Sequence, residues 1–293
     1  MRAVPTVRLS LIAVALALGA CGTLIGRPDT PPPPAVRTTY VLHRDIVFSP
    51  PDWPQQLRAD IYQPDGAHAL PAVLVIYGGG WHSGDRTQLT PIAMRLAKRG
   101  YVAVATSYRL APAYHFPAQL RDLQLAVRWM RANAAQYNID PARIGAWGYS
   151  AGAHLAALLG GISPGDALFE SGTRIAAVVG GGTPTDLRKP DKGTQVLRLI
   201  GGTAAQMPDA YRDASPVSHV DAGDPPVFLY EGGADELVTP DHATDYKALL
   251  DRAGVPNELM VLRGRGHLMA FLTDGPAVDE ALRFLDRHLR DGR

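Results

Sequence analysis

The chain has 293 residues, 46% of them hydrophobic, with 29 basic and 28 acidic side chains and a formal net charge of +1. That length and apolar content allow one large core, while the charge balance gives no electrostatic case for nucleic acid or another polyanion as partner. A single cysteine excludes an internal disulfide framework.

At the N-terminus, Arg2 and Arg8 precede an apolar run over residues 9–18, the length of a secretory h-region and too short to span a bilayer. It ends in Leu18-Gly19-Ala20-Cys21-Gly22, which resembles a bacterial lipobox. The resemblance implies a lipoprotein signal peptide over residues 1–20, lipid on Cys21, and a lipid-anchored protein of the bacterial envelope, facing the periplasm or on the outer membrane. Residues 28–34 contain five prolines and read as a stiff spacer, so residues 21–37 are expected to form a tether.

Beyond the tether, apolar and β-branched runs predict strands over residues 38–48, 57–62, 72–77, 101–107, 143–148, 175–180, 227–230 and 258–262. Helices are predicted over residues 87–99, 117–136, 151–160, 240–253 and 276–289. Opening strands followed by alternating strands and helices predict an α/β domain over residues 38–293. Its sheet should be mainly parallel and eight-stranded, with helices on both faces. Residues 181–224 have few apolar runs and many turn formers, and are expected to form a small lid or pocket wall.

Gly148-Tyr149-Ser150-Ala151-Gly152 sits between an apolar strand and an Ala/Leu-rich helix. A serine hydroxyl becomes a useful nucleophile when a tight strand-to-helix turn holds it clear of the backbone beside a base. Three other segments supply what such a serine needs. Val73 to Trp81 is a strand running into Gly78-Gly79-Gly80, where small residues let backbone N–H groups approach a developing oxyanion. Gly79, Gly80 and Ala151 are the candidate donors. Val227 to Tyr230 ends in Glu231-Gly232-Gly233-Ala234-Asp235, delivering a carboxylate at the edge where open α/β sheets assemble their sites. Glu236 and Asp241 compete, but the position directly after the turn favours Asp235. The last strand leads through Arg263-Gly264-Arg265-Gly266 to His267, a loop histidine able to face both serine and aspartate. Trp81, His82 and Tyr149 flank the expected oxyanion and are candidate pocket residues, and His154 on the following helix reads as structural. No H-x-x-H or H-E-x-x-H spacing joins the histidines, and no phosphate-loop glycine pattern follows the strands. Neither metal nor cofactor is expected.

The order Ser150, Asp235, His267 and these motifs resemble the α/β-hydrolase superfamily. Within it they resemble bacterial carboxylesterases with an H-G-G-G-W oxyanion segment, which include feruloyl and acetyl-xylan esterase-like enzymes and are similar to the hormone-sensitive lipase family. Tyr77-Gly78-Gly79-Gly80-Trp81-His82-Ser83-Gly84-Asp85 carries this likeness, with Tyr77 in place of the family's histidine. Tyr108-Arg109-Leu110-Ala111-Pro112, Phe116-Pro117 and Gly266-His267 extend it. The resemblance implies a serine carboxylesterase for short acyl esters of a small or polysaccharide-linked alcohol, with catalytic Ser150, Asp235 and His267. An amide hydrolase using the same three residues is the alternative, and a non-catalytic binding module a weaker one.

Overall fold

Period-two burial on both sides makes the apolar runs strands. Val73 and Val75 join the core on one face of the sheet, while Leu74 and Ile76 join the core on the other. The computed structural model describes residues 22–26, 31–66, 69–190 and 193–290. Its strands are β1 (Gly22–Ile25), β2 (Tyr40–Val47), β3 (Arg58–Pro64), β4 (Leu70–Ile76), β5 (Val102–Thr106), β6 (Ile139–Tyr149), β7 (Val178–Gly181), β8 (Val227–Gly232) and β9 (Asn257–Leu262). They form one sheet in the order β1-β9-β8-β7-β6-β4-β5-β3-β2. Strands β4 to β9 run parallel; β1 against β9, β2 against β3 and β3 against β5 are antiparallel.

The sheet therefore has nine strands rather than the eight expected. The ninth is β1, whose Gly22 pairs with Leu262 and Ile25 with Leu259. It corrects the expected tether at its start: residues 22–25 are docked on the domain, where they satisfy the otherwise open backbone edge of β9. Residues 1–20, Cys21 and part of the proline run lie outside the described residues.

The helices are α1 (Thr90–Lys98), α2 (Ala118–Ala132), α3 (Ala151–Gly161), α4 (Gln195–Ile200), α5 (Pro208–Asp213), α6 (Asp241–Ala253), α7 (His267–Leu272) and α8 (Gly275–Leu285), the last closing in a π turn over Asp286–Arg290. Leucines of α2 and α3 and Tyr246 of α6 pack on one face; Ile92 and Leu96 of α1 and Phe284 of α8 pack on the other. Helix α3 is buried along its whole length, so it has no polar side and sits at the centre of its layer. The unforeseen helices α4, α5 and α7 are six residues each, too short for a helical period to register in the sequence.

Residues 181–224 are not a separate layer. They carry α4, α5 and a 3₁₀ turn at Pro216–Ser218 and lie over the C-terminal edge of the sheet.

Candidate active site

Strand β6 delivers Ser150 into a turn with φ 54° and ψ −122°, a conformation L residues avoid unless the surroundings enforce it. The Ser150 N–H donates to Gly181 O at 2.7 Å, and His154 N–H donates to Ser150 O at 3.0 Å, fixing the turn from both sides. A Cβ on Gly152 would lie 2.1 Å from Ile76 O, so glycine there is what lets α3 pack against β4.

His267, the first residue of α7, places Nε2 2.9 Å from Ser150 Oγ and Nδ1 2.6 Å from Asp235 Oδ2. With Nδ1–H donated to the carboxylate, Nε2 is free to accept the serine proton. Asp235 Oδ1 accepts the Leu237 and Val238 amides, each at 2.9 Å. Burial pushes the Asp235 carboxyl up, but its bond to His267, the charge of that ring and the two amides outweigh burial and hold it below the usual value. Of the competing carboxylates, Asp241 turns away to pair with Lys189, and Glu236 is exposed.

Glu231, four residues upstream, was not foreseen as part of the site. It is buried, and its Oε1 accepts the Gly232 amide at 3.0 Å. Burial first, then the neighbouring Asp235 charge and a hydrogen bond to it, raise its pKa well above the usual value. A neutral Glu231 can donate its proton to Asp235, where an ionised one would repel it.

The loop after β4 brings Gly79 and Gly80 beside Ser150 and Ala151 at the floor of a cleft of about 170 Å³. Gly79 has φ 112°, and a Cβ there would lie 2.2 Å from Ser83 O. Tyr77 stacks on Tyr108 with ring centroids 4.4 Å apart, and Tyr108 Oη donates to Tyr77 O at 3.0 Å. Tyr77 thus ties this loop to the Tyr-Arg-Leu-Ala-Pro segment, as does the Ala111 N–H bond to Trp81 O.

Trp81 and His82 line the cleft. The Trp81 indole is itself buried and donates to His154 Nδ1 at 3.1 Å, while His154 Nε2–H donates to Ala214 O at 2.6 Å. Both ring nitrogens of the neutral imidazole are satisfied, and burial lowers the His154 pKa to about 4. The ring joins the glycine loop after β4, α3 and the 181–224 segment.

Tyr149, expected in the pocket, lies off the cleft. Its ring packs on His267 and Phe271, and its hydroxyl donates to His267 O at 2.6 Å. The pleat explains this: adjacent to Ser150, Tyr149 points to the opposite side of the strand end. The remaining cleft wall comes from Asp186, Lys189, Gln195, Leu237, Val238 and His242. These residues stand in four separate stretches without a motif, so only the fold brings them together. Among the described residues no cluster of His, Cys, Asp and Glu could hold a metal ion.

Residues 59–250 match the BD-FAE family. The chain belongs to the BD-FAE family. It is 32% identical to the probable carboxylic ester hydrolase LipM of Mycobacterium tuberculosis over 60% of this chain and 44% of LipM, so it spans less than half of that relative. It is 30% identical to esterase LipC of the same organism, covering 89% of this chain and 69% of LipC. A solved truncated carbohydrate esterase from gut microbiota superposes with a TM-score of 0.75 at 27% identity, over 88% of this chain and 99% of that one. The fold is that of the α/β-hydrolases, and by family the chain is a hydrolase acting on ester bonds.

Proposed function

We propose that the chain is a serine carboxylesterase that hydrolyses short-chain acyl esters of a small or carbohydrate-linked alcohol. The observation that carries this reading is the unbroken path Asp235–His267–Ser150, with bonds of 2.6 and 2.9 Å, opening on the cleft floored by Gly79, Gly80 and Ala151. Ser150 Oγ attacks the ester carbonyl carbon as its proton passes to His267 Nε2, and Asp235 stabilises the imidazolium. The carbonyl oxygen takes up negative charge and is held by the N–H groups of Gly79, Gly80 and Ala151. Collapse breaks the bond to the alkoxide, which takes the proton from His267 and leaves as the alcohol. Water, deprotonated by the same imidazole, then releases the acid and restores Ser150.

The small volume of the cleft favours a short acyl group. Its outer wall offers Asp186, Lys189, Gln195 and His242 as hydrogen-bonding groups suited to a hydroxyl-bearing alcohol, and the similarity to a carbohydrate esterase points the same way. Hydrolysis of p-nitrophenyl acetate through decanoate, with Ser150→Ala alongside, tests the reading. The expected result is serine-dependent turnover favouring the shortest acyl groups. Undiminished turnover in Ser150→Ala, or faster cleavage of matched anilides, would overturn it.

The lipobox-like sequence supports a companion proposal: Cys21 carries lipid and anchors the enzyme to the bacterial envelope. The mass of the N-terminal peptide of the matured protein tests this directly, and an unmodified Cys21 would refute it.

A further inference from the structure

We propose that the rim of the active site around α7 is a docking face for a phospholipid surface, so that the catalytic cleft works at the lipid boundary rather than away from it. Leu268, Met269 and Leu272 are 65%, 52% and 62% exposed and occupy positions i, i+1 and i+4 of α7, one continuous outward face. The inward side of the same helix is filled: Ala270 is buried, and Phe271 packs on Tyr149. Leu237, two residues from Asp235, adds a further exposed leucine at the cleft wall. An apolar patch on the helix that opens with His267, otherwise held by the core, calls for an occupant.

Two observations select a membrane. The first is where the chain leaves the described domain. Strand β1 is antiparallel to β9, and Gly22 pairs with Leu262, the last residue of β9 before the loop to His267. The chain before Gly22 therefore departs at the catalytic edge of the sheet. A lipid on the preceding residue would bring that edge to the membrane, and no tether intervenes between Cys21 and the sheet. The second is charge. Arg263 and Arg265 lie in the loop between β9 and α7. Arg263 also donates to Thr23 Oγ1 at 2.8 Å, which fastens β1 beside the loop. Arg265 is half-buried and donates to Thr273 O at the far end of α7, so the two cations flank the exposed leucines and methionine and suit an anionic headgroup layer over acyl chains. The orientation rests on the proposed acylation of Cys21 for its anchor, while the face itself is independent of it.

Hydrogen exchange of the full chain as matured by its host, with and without vesicles of phosphatidylcholine and phosphatidylglycerol, tests the proposal. Slower exchange over residues 263–273 at saturating lipid is expected, with no change at the far end of α6 around Arg252. Leu268→Glu with Leu272→Glu should abolish that protection and leave p-nitrophenyl acetate hydrolysis intact. Unchanged exchange over residues 263–273 in protein that floats with vesicles would overturn the docking face. Protection that instead grows with protein concentration, without lipid, would assign the face to a second copy of the chain and overturn it equally. The N-terminal peptide mass and the ester assay are read on the same sample. Loss of the anchor reading or of the esterase reading is therefore distinguished from loss of this one.

Discussion

The two sides of the candidate active site are built on opposite terms. Ser150 stands on α3, buried along its whole length, in a turn bonded to Gly181 and locked against β4 by Gly152. His267 opens a six-residue helix with three exposed apolar side chains, and its geometry depends on individual partners: Asp235, Ser150 and the Tyr149 hydroxyl. Ser150 is placed by the core of the protein, His267 by a few hydrogen bonds. Substitutions on the serine side should therefore act through chemistry or global stability, and those of the hydrogen-bonding partners of His267 through local alignment.

The largest effect tests the serine side. Ser150→Ala should lower kcat/KM by about 10⁵-fold while leaving the thermal midpoint close to that of the parent, since α3 loses only a partly exposed hydroxyl. A collapse in stability would mean that the strained turn depends on that hydroxyl. Next comes Asp235→Asn, expected to cost about 10³- to 10⁴-fold in kcat by favouring the wrong imidazole tautomer; near-normal turnover would show that another group orients His267.

The third prediction concerns pH. His154 is buried as the neutral ring, with its pKa lowered from 6.5 to about 4. As pH falls below 6.5 the unfolded chain takes up a proton that the folded chain refuses. The stabilisation present above that value is then lost progressively down to about pH 4, by roughly 3 kcal/mol in all. His288, also lowered to about 4, adds in the same sense. Asp224 and Asp274, raised by burial to about 7 and about 6, act in the opposite sense, so the difference between the parent and His154→Gln in denaturant unfolding across this window isolates the ring. A variant with the parent's pH dependence would contradict the buried neutral ring.

Smaller effects sharpen the histidine side. Tyr149→Phe removes the bond to His267 O and should reduce kcat about tenfold with KM little changed; a change confined to KM would return Tyr149 to the pocket. Glu231→Gln replaces the donated carboxyl proton with an amide N–H and should hold activity within about threefold. A much larger change in the acid limb of the pH–rate profile would indicate that Glu231 ionises in the working enzyme.

What the sequence disclosed divides along similar lines. Eight strands were legible because each is a run of apolar residues buried on one or both faces, and Ser150, Asp235 and His267 stood out because each ends a strand beside glycines. Strand β1 was not legible: four residues next to a proline run carry no period, and only the open edge of β9 makes them a strand. Tyr149 was misplaced because adjacency in sequence to Ser150 says nothing about which side of the pleat it takes. The wall formed by Asp186, Lys189 and Gln195 had no signal, since its stretches meet only through the fold, and Glu231 had none because nothing in the sequence shows that its carboxyl is buried. Tyr77 shows the converse. Its place before the three glycines is visible in the sequence, but its stacking partner Tyr108 is 31 residues away.

Strand β1 also has a consequence for assembly. Thr23 and its partner Arg263 are 240 residues apart, so β1 has no β9 to pair with until the intervening chain has been made. Loop closure over that distance favours nearer pairings first. The sheet is thus finished by its earliest residues, and until they arrive β9 stays an open edge on which another chain could grow.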